Sequence, residues 1–163
     1  MLHGTLQKMV QGVSWGELDL LLVDLPPGTG DVLLSISQLL KPAGALTVCT
    51  PQEVAMLDAI KAINAFDQLN IPLWGIIENM AGFQAPESEQ NHLIFGKGKG
   101  EELAMRFHTD LLASIPLMIK IRQGGDEGIP CALHANDPSG IHFHQLASVF
   151  RERCLQPAAN PFK

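Results

Sequence analysis

Leu20-Leu21-Leu22-Val23-Asp24-Leu25-Pro26-Pro27-Gly28-Thr29-Gly30-Asp31 is the stretch on which the fold turns. Its apolar run does not alternate with polar residues, so residues 18–24 read as a strand buried on both faces. Pro-Pro-Gly-Thr-Gly then forbids further strand or helix. Asp24 is thereby placed at the carboxyl end of a core strand, where open α/β sheets bind their ligands. Asp31 reads as the N-cap of the next helix, since its carboxylate accepts from the free amides of a first turn.

On either side of this strand the pattern is regular. Residues 2–12 read as a helix. The helix from Asp31 runs to Leu40 and is stopped by Pro42-Ala43-Gly44. Residues 45–50 form a second apolar strand. Pro51-Gln52-Glu53 opens a helix to Gln68, whose Val54, Leu57, Ile60, Ile63 and Phe66 follow helical spacing. Residues 72–79 read as a third strand, 81–99 as a long polar loop, 100–108 as a helix and 111–115 as a short fourth strand. Residues 117–137 read as irregular, with Gly124-Gly125 and Ile129-Pro130 as breakers, and 139–154 as a closing amphipathic helix. Strands alternating with helices predict an α/β fold, a parallel sheet with helices on both faces. One domain over 1–156 and a tail over 157–163 follow.

Composition narrows the function. The chain has 163 residues, 46% hydrophobic and 17% charged, with a formal net charge of -6. Its pI is ≈ 5.4 and its mean hydropathy +0.13. An acidic chain without a basic run argues against nucleic acid as a partner. No apolar segment approaches the length of a membrane span. The amino end carries neither a signal nor a transit pattern, which makes the cytoplasm the expected location. Cys49, Cys131 and Cys154 are too widely spaced for a disulfide framework or a zinc site. Cys49, inside Ala45-Leu46-Thr47-Val48-Cys49, reads as a small buried hydrophobe.

Several groups carry candidate chemistry. Asp24 suits Mg²⁺ held through water beside a phosphate. Gly28 and Gly30 let backbone amides approach that phosphate closely. The bland reading of the same string is a tight turn with a helix cap. Gly96-Lys97-Gly98-Lys99-Gly100 departs from the P-loop pattern, and Glu101-Glu102 would repel phosphate, so it reads as a helix entry. Asn79 closes the third strand and either bonds a ligand base or caps a turn. His142 and His144 are two apart on a helix and make a poor metal pair.

Together these strings resemble the Mrp family of P-loop ATPases, iron-sulfur cluster carrier proteins related to MinD and to nitrogenase iron protein. The resemblance runs from Leu2 to Leu155. It rests on Trp15-Gly16-Glu17-Leu18-Asp19, Val23 to Asp31, Thr50-Pro51-Gln52-Glu53-Val54-Ala55, Gly75 to Met80, Ile94-Phe95-Gly96, and Arg122 with Gly128 and Pro130. It implies that Asp24 is the acid holding Mg²⁺ through water. It implies that Pro26, Pro27, Gly28, Thr29, Gly30 and Asp31 form a switch reporting the γ-phosphate. Asn79 would contact adenine, and the segment around Pro116 would close over the base. Family members are expected to be homodimers with ATP between subunits, handing a [4Fe-4S] cluster to apo iron-sulfur proteins.

Two departures shape these expectations. The family's P-loop, with its strand and first switch, is expected upstream of Met1, so this chain alone is expected to bind ATP poorly and hydrolyse it hardly at all. The family's Cys-x-x-Cys positions fall here on Ala85 and Ser88, neither of which supplies a thiolate. The leading expectation is the carboxyl-terminal part of an Mrp-type ATPase. The alternative is a non-catalytic module that docks on a complete ATPase partner. A MinD-like positioning ATPase is the third reading, disfavoured because 139–154 lacks a basic membrane-binding face.

Overall fold

The computed structural model describes residues 2–26, 30–85, 91–134 and 136–155. In chain order the elements are α1 (Leu2–Gln11), α2 (Asp31–Leu40), β1 (Ala45–Cys49), α3 (Glu53–Gln68), β2 (Leu73–Gln84) and β3 (Asn91–His92). They continue with α4 (Lys99–Arg106), β4 (Leu111–Leu117), α5 (Ile119–Glu127), a 3₁₀ turn (Cys131–Leu133) and α6 (Ile141–Leu155).

β2 is the centre of the sheet. It pairs parallel with β1 on one side, Thr47 opposite Ile76 and Cys49 opposite Glu78. It pairs parallel with β4 on the other, Ile77 opposite Ala113 and Asn79 opposite Ile115. Parallel neighbours require crossovers, which α3 and α4 supply. Past the carboxyl end of β1, the free side of β2 takes up β3 antiparallel, at Phe83–His92 and Gln84–Asn91. The sheet is thus α/β and mostly parallel, as expected.

Helices α3 and α4 cover one face. Ile63, Phe66, Ile76 and Leu103 meet there in the main core cluster. Each such side chain contributes about 1.5–3 kcal/mol by leaving water. Trp74, the neighbour of core residue Leu73, meets Phe150 of α6 with ring centroids 5.5 Å apart. Among the described residues one buried side-chain polar atom has no partner, the Thr47 Oγ1.

The structure departs from the sequence reading in particular places. Residues 18–24 do not form a strand. They run extended and exposed, and Leu22 keeps 71% of its surface. A strand needs ladder partners for its backbone amides and carbonyls. Among the described residues no strand offers them: the outer edge of β1 is open, and the Leu20–Val23 backbone stays unpaired. Only Leu25 packs against the core. Asp31 is not the cap of α2. Gly30 holds that position in extended geometry, and Asp31 opens the first turn, where its charge still favours the positive end of the helix.

Two regions read as irregular are ordered. β2 continues to Gln84, and β3 follows within the expected loop. Residues 119–127 form α5 despite Gly124-Gly125. Gly124 is buried, and a Cβ there would stand 2.6 Å from the Ile129 carbonyl oxygen. That glycine leaves room for the chain to fold back at the end of α5, where the Ile129 N–H bonds the Gly124 carbonyl at 2.9 Å, and this local closure offsets its low propensity.

Two outcomes test this packing. Leu22→Ser should change the unfolding free energy by less than about 0.5 kcal/mol, as for other surface sites. Leu103→Ala should cost about 2–5 kcal/mol by opening a cavity in the core. Urea unfolding reads both, and equal losses would contradict the exposed placement of Leu22. Thr47→Val removes the orphaned hydroxyl and should hold or raise stability, by up to about 1 kcal/mol. A clear fall in melting temperature would show that the hydroxyl is satisfied.

Candidate functional site

The site is built at the carboxyl edge of the sheet from an irregularity with a covalent cause. Asn79 stands opposite Ile115 and Phe83 opposite Leu117, so Met80, Ala81 and Gly82 of β2 face the single residue Pro116 of β4. Proline has no N–H, and the ladder loses a donor there. β2 accommodates this with a bulge, in which Met80 takes a left-handed φ of 57°. Bulges bend a strand and re-aim the adjacent side chain. Here that side chain is Asn79.

Asn79 is half-buried. Its Oδ1 accepts the Met80 backbone N–H at 2.9 Å. One further lone pair and the two Nδ2 protons remain as the group's capacity for a ligand. Pro116 is half-buried within β4, one residue from that strand's carboxyl end. The structure therefore brings Asn79 and Pro116 together, although the second serves as part of the sheet.

Glu78 lies immediately before this bulge and is 5% exposed. Its Oε1 accepts the Gly100 N–H at 2.8 Å, across 22 residues of chain. Gly100 is in the first turn of α4, and a Cβ on it would lie 2.9 Å from the Glu78 Cβ. The same turn is tied to α3: Lys99 Nζ bonds Glu53 at 2.5 Å and Glu102 at 2.8 Å. Those two carboxylates raise the Lys99 pKa. Gly96 to Gly100 is thus a helix entry, capped by Gly98, as the residues suggest. Cys49, in register with Glu78, is buried. Burial, and then the Glu78 charge, push its thiol up to about 11, which leaves it neutral and inert.

The acid side of the site is placed differently. Asp24 is exposed on the unpaired segment, and Pro26 beside it is exposed too. The core contact of Leu25 anchors the chain between them. Pro27, Gly28 and Thr29 lie outside the described residues, as does Ser88. Gly30 and Asp31 are exposed at the start of α2. Among the described residues no group of three or more His, Cys, Asp and Glu gathers to hold a metal. A single carboxylate such as Asp24 suits a Mg²⁺ that keeps most of its waters. Ala85 follows the end of β2, and its side chain offers no ligand atom. His144 is engaged by the Ala132 carbonyl at 2.9 Å through Nε2.

A shallow cavity of about 250 Å³ between α5 and the 3₁₀ turn shares no residue with this edge. Asp137 lines it. Its carboxylate accepts from the Ser139 Oγ at 2.5 Å and the Ser139 N–H at 2.9 Å, and pairs with Lys120 at 3.1 Å. Ser139's bonds, then Lys120, hold its pKa down at about 2 against 3.8 for the free group. These bonds fasten the entry of α6.

An open, mostly parallel sheet with a loop-built carboxyl edge defines an α/β protein of the open-sheet class, which binds ligands at that edge. Residues 1–151 match the family ParA, described as NUBPL iron-transfer P-loop NTPase, and the chain belongs to that family. It is 44% identical over 151 residues to an iron-sulfur cluster carrier protein of Deinococcus radiodurans, covering 93% of this chain and 42% of that protein. It is 38% identical over 159 residues to the iron-sulfur cluster transfer protein NUBPL of Mus musculus, covering 96% and 50%. It is also 47% identical over 130 residues to an Arabidopsis thaliana iron-sulfur protein required for NADH dehydrogenase, mitochondrial, covering 80% and 42%. The chain thus spans half or less of the length of these relatives.

Among solved structures, a nucleotide-binding protein in complex with ADP from Archaeoglobus fulgidus superposes with a TM-score of 0.73 at 37% identity. That match covers 87% of this chain and 57% of the other. MinD with Mg-ADP from Pyrococcus horikoshii gives 0.66 at 23% identity over 94% and 58%, a likeness of fold. No helix among the described residues is long and apolar enough to cross a membrane.

Glu78 and the bulge opposite Pro116 were not assigned roles from sequence. The signals were present: an acid ending a buried strand, and a proline inside an apolar one. Neither identifies its partner without the pairing register.

Asp137 gives a pH test with a definite sign. A depressed carboxyl pKa stabilises the fold fully above about pH 4 and ceases to do so as pH falls toward 2. Acid titration should show wild type losing stability across that window. Asp137→Asn should lose less there while being less stable at neutral pH. Parallel curves for the two proteins would reject the assigned bonds.

Proposed function

We propose that this chain supplies the base-side and metal-side residues of a nucleotide site in an iron-sulfur cluster carrier. The observation that carries this reading is the Asn79 carboxamide, re-aimed by a bulge at the carboxyl edge of a nucleotide-binding fold. An Asn side chain pairs a donor and an acceptor with adenine, whose edge offers N6–H₂ and a ring nitrogen. Guanine offers two acceptors instead and satisfies only half of it. The ADP complex of the Archaeoglobus relative supports the same class of ligand.

In this reading Asp24 holds Mg²⁺ through water, and Pro26 to Asp31 sense the γ-phosphate. Bound Mg²⁺ supplies charge neutralisation at the phosphates. The sequence holds no Gly-x₄-Gly-Lys-Ser/Thr loop. Since that loop makes most phosphate contacts in its class, the chain alone binds the base weakly and releases almost no phosphate. Residues 1–156 act as one nucleotide-binding unit, with 157–163 as a tail, and the working assembly is a homodimer in the cytoplasm.

The [4Fe-4S] cluster is cargo, delivered to apo iron-sulfur proteins. Ala85 and Ser88 give no thiolate in the 82–89 window, and Cys49 and Cys131 are buried. Cluster ligation through that window is therefore not part of the proposal. One observation favours a second reading, a non-catalytic module docked on a complete ATPase. The open edge of β1 and the exposed Leu20–Val23 run are surfaces that a partner would cover.

Saturation-transfer NMR with ATP at millimolar concentration distinguishes the two. The nucleotide reading expects transfer to the adenine ring protons, weakened about tenfold by Asn79→Ala. It expects Mg²⁺ to strengthen wild-type binding and to have no effect on Asp24→Ala. No transfer from a folded wild-type chain would reject it in favour of the docking module.

A further inference from the structure

We propose that Glu78 is a positioning residue for this nucleotide edge. Its buried carboxylate latches the first turn of α4 and thereby fixes the bulge that aims Asn79. The inference deepens the nucleotide reading and rests on it for its specificity arm.

The argument begins with an otherwise unexplained cost. A carboxylate taken out of water is expensive unless it is bonded. Glu78 is buried at the carboxyl end of β2, and its bond is to the Gly100 amide. That amide belongs to the first turn of α4 and has no intrahelical acceptor of its own. The positive end of the helix also favours the negative charge. The pair thus satisfies a buried acceptor and an orphan donor at once.

What the latch encloses gives it a role. It joins the ends of residues 79–99, which contain Asn79, the bulge at Met80, the Ala85 position and β3. One side of this loop is pinned by Asn79 to Ile115 and Phe83 to Leu117, the other by Phe83 to His92. The Lys99–Glu53 pair fastens the same turn of α4 to the start of α3. Asn79 follows Glu78 directly and is the last paired residue before the chain turns at Met80. Loss of the latch frees the first turn of α4 from Glu78, while Leu103 keeps the helix on the core, and lets the bulge relax. The carboxamide then no longer holds one orientation. A bidentate contact depends on that orientation, so base discrimination is the property most exposed to the loss.

The test compares Glu78→Ala with Glu78→Gln in the 163-residue chain. Glutamine keeps an Oε1 acceptor for Gly100 and approximates the shape; alanine removes both. Amide hydrogen exchange is read without nucleotide, and ATP and GTP affinities by saturation-transfer titration. In Glu78→Ala the Gly100 and Met80 amides should lose protection while the Ile63 and Phe66 amides of α3 keep theirs. Its ATP-over-GTP preference should fall about tenfold, the worth of one bidentate base contact. Glu78→Gln should retain most of both.

Unchanged protection at Met80 in Glu78→Ala would overturn the proposal. So would an equal loss of ATP and GTP affinity, which marks a merely structural residue. If Glu78→Ala does not fold, a Glu78→Gln variant with full Gly100 protection but no base preference overturns it as well. A wild-type chain that binds neither nucleotide sinks the nucleotide reading, and the exchange data then decide the latch alone.

Discussion

Pro116 has no amide hydrogen, and much of the candidate site follows from that. In a parallel ladder each donor is spaced evenly along the strand, so a missing one is felt by the neighbour directly opposite. β2 absorbs the gap by setting Met80, Ala81 and Gly82 against one residue of β4. The strand turns at this point, Asn79 is presented at the edge, and β2 proceeds far enough to pair with β3. The bulge persists because the strand is held on either side of it. Below, β2 lies between β1 and β4, and Glu78 is bonded to α4. Above, Phe83 pairs with both β3 and β4.

Energetically the two halves of the molecule differ. Around β2 the elements bury branched side chains on α3 and α4, with Ile63, Ile76 and Leu103 fully enclosed. The segment with Asp24 has no such enclosure. Its apolar side chains face solvent, and Val48 on β1 is 60% exposed. Stability is therefore concentrated around β2, and the Asp24 segment is attached through Leu25 and α2. Local opening free energies follow burial, so the acid side is the part that a ligand or partner orders most.

Much of this was legible in the chain. Apolar spacing placed α3, the Asp31 start and the Pro42-Ala43-Gly44 stop placed α2, and the helices read over 2–12 and 139–154 fall within a few residues of α1 and α6. Apolar runs placed β1 and the core of β2. The failures have distinct physical causes. Leu20–Val23 has the composition of a buried strand, but a strand is a property of a pair, and composition says nothing of the partner. Gly124-Gly125 read as a break because propensity ignores the local return of the chain, in which the Ile129 N–H bonds the Gly124 carbonyl and the Ile129 backbone packs against the Gly124 Cα. The polar window after Asn79 hid β3, whose two residues pair only because the bulge delivers β2 to them. Asn79 was legible as an end-of-strand amide open to two meanings. The structure shows its Oδ1 bonded to the Met80 N–H at the bulge, with the ligand-facing meaning left to the proposal, and Glu78 emerged only from a bond spanning 22 residues.

The central claim is that the carboxyl edge of β2 and β4 receives the base of a nucleotide. Hydrogen exchange with and without Mg-ATP tests it most directly, because it locates a ligand residue by residue. The account predicts added protection at Asn79 to Phe83 and at Leu117 to Met118, with none at the α5 cavity around Lys120 and Asp137. Protection confined to that cavity, or no change anywhere at a nucleotide concentration that saturates the chain, would contradict it.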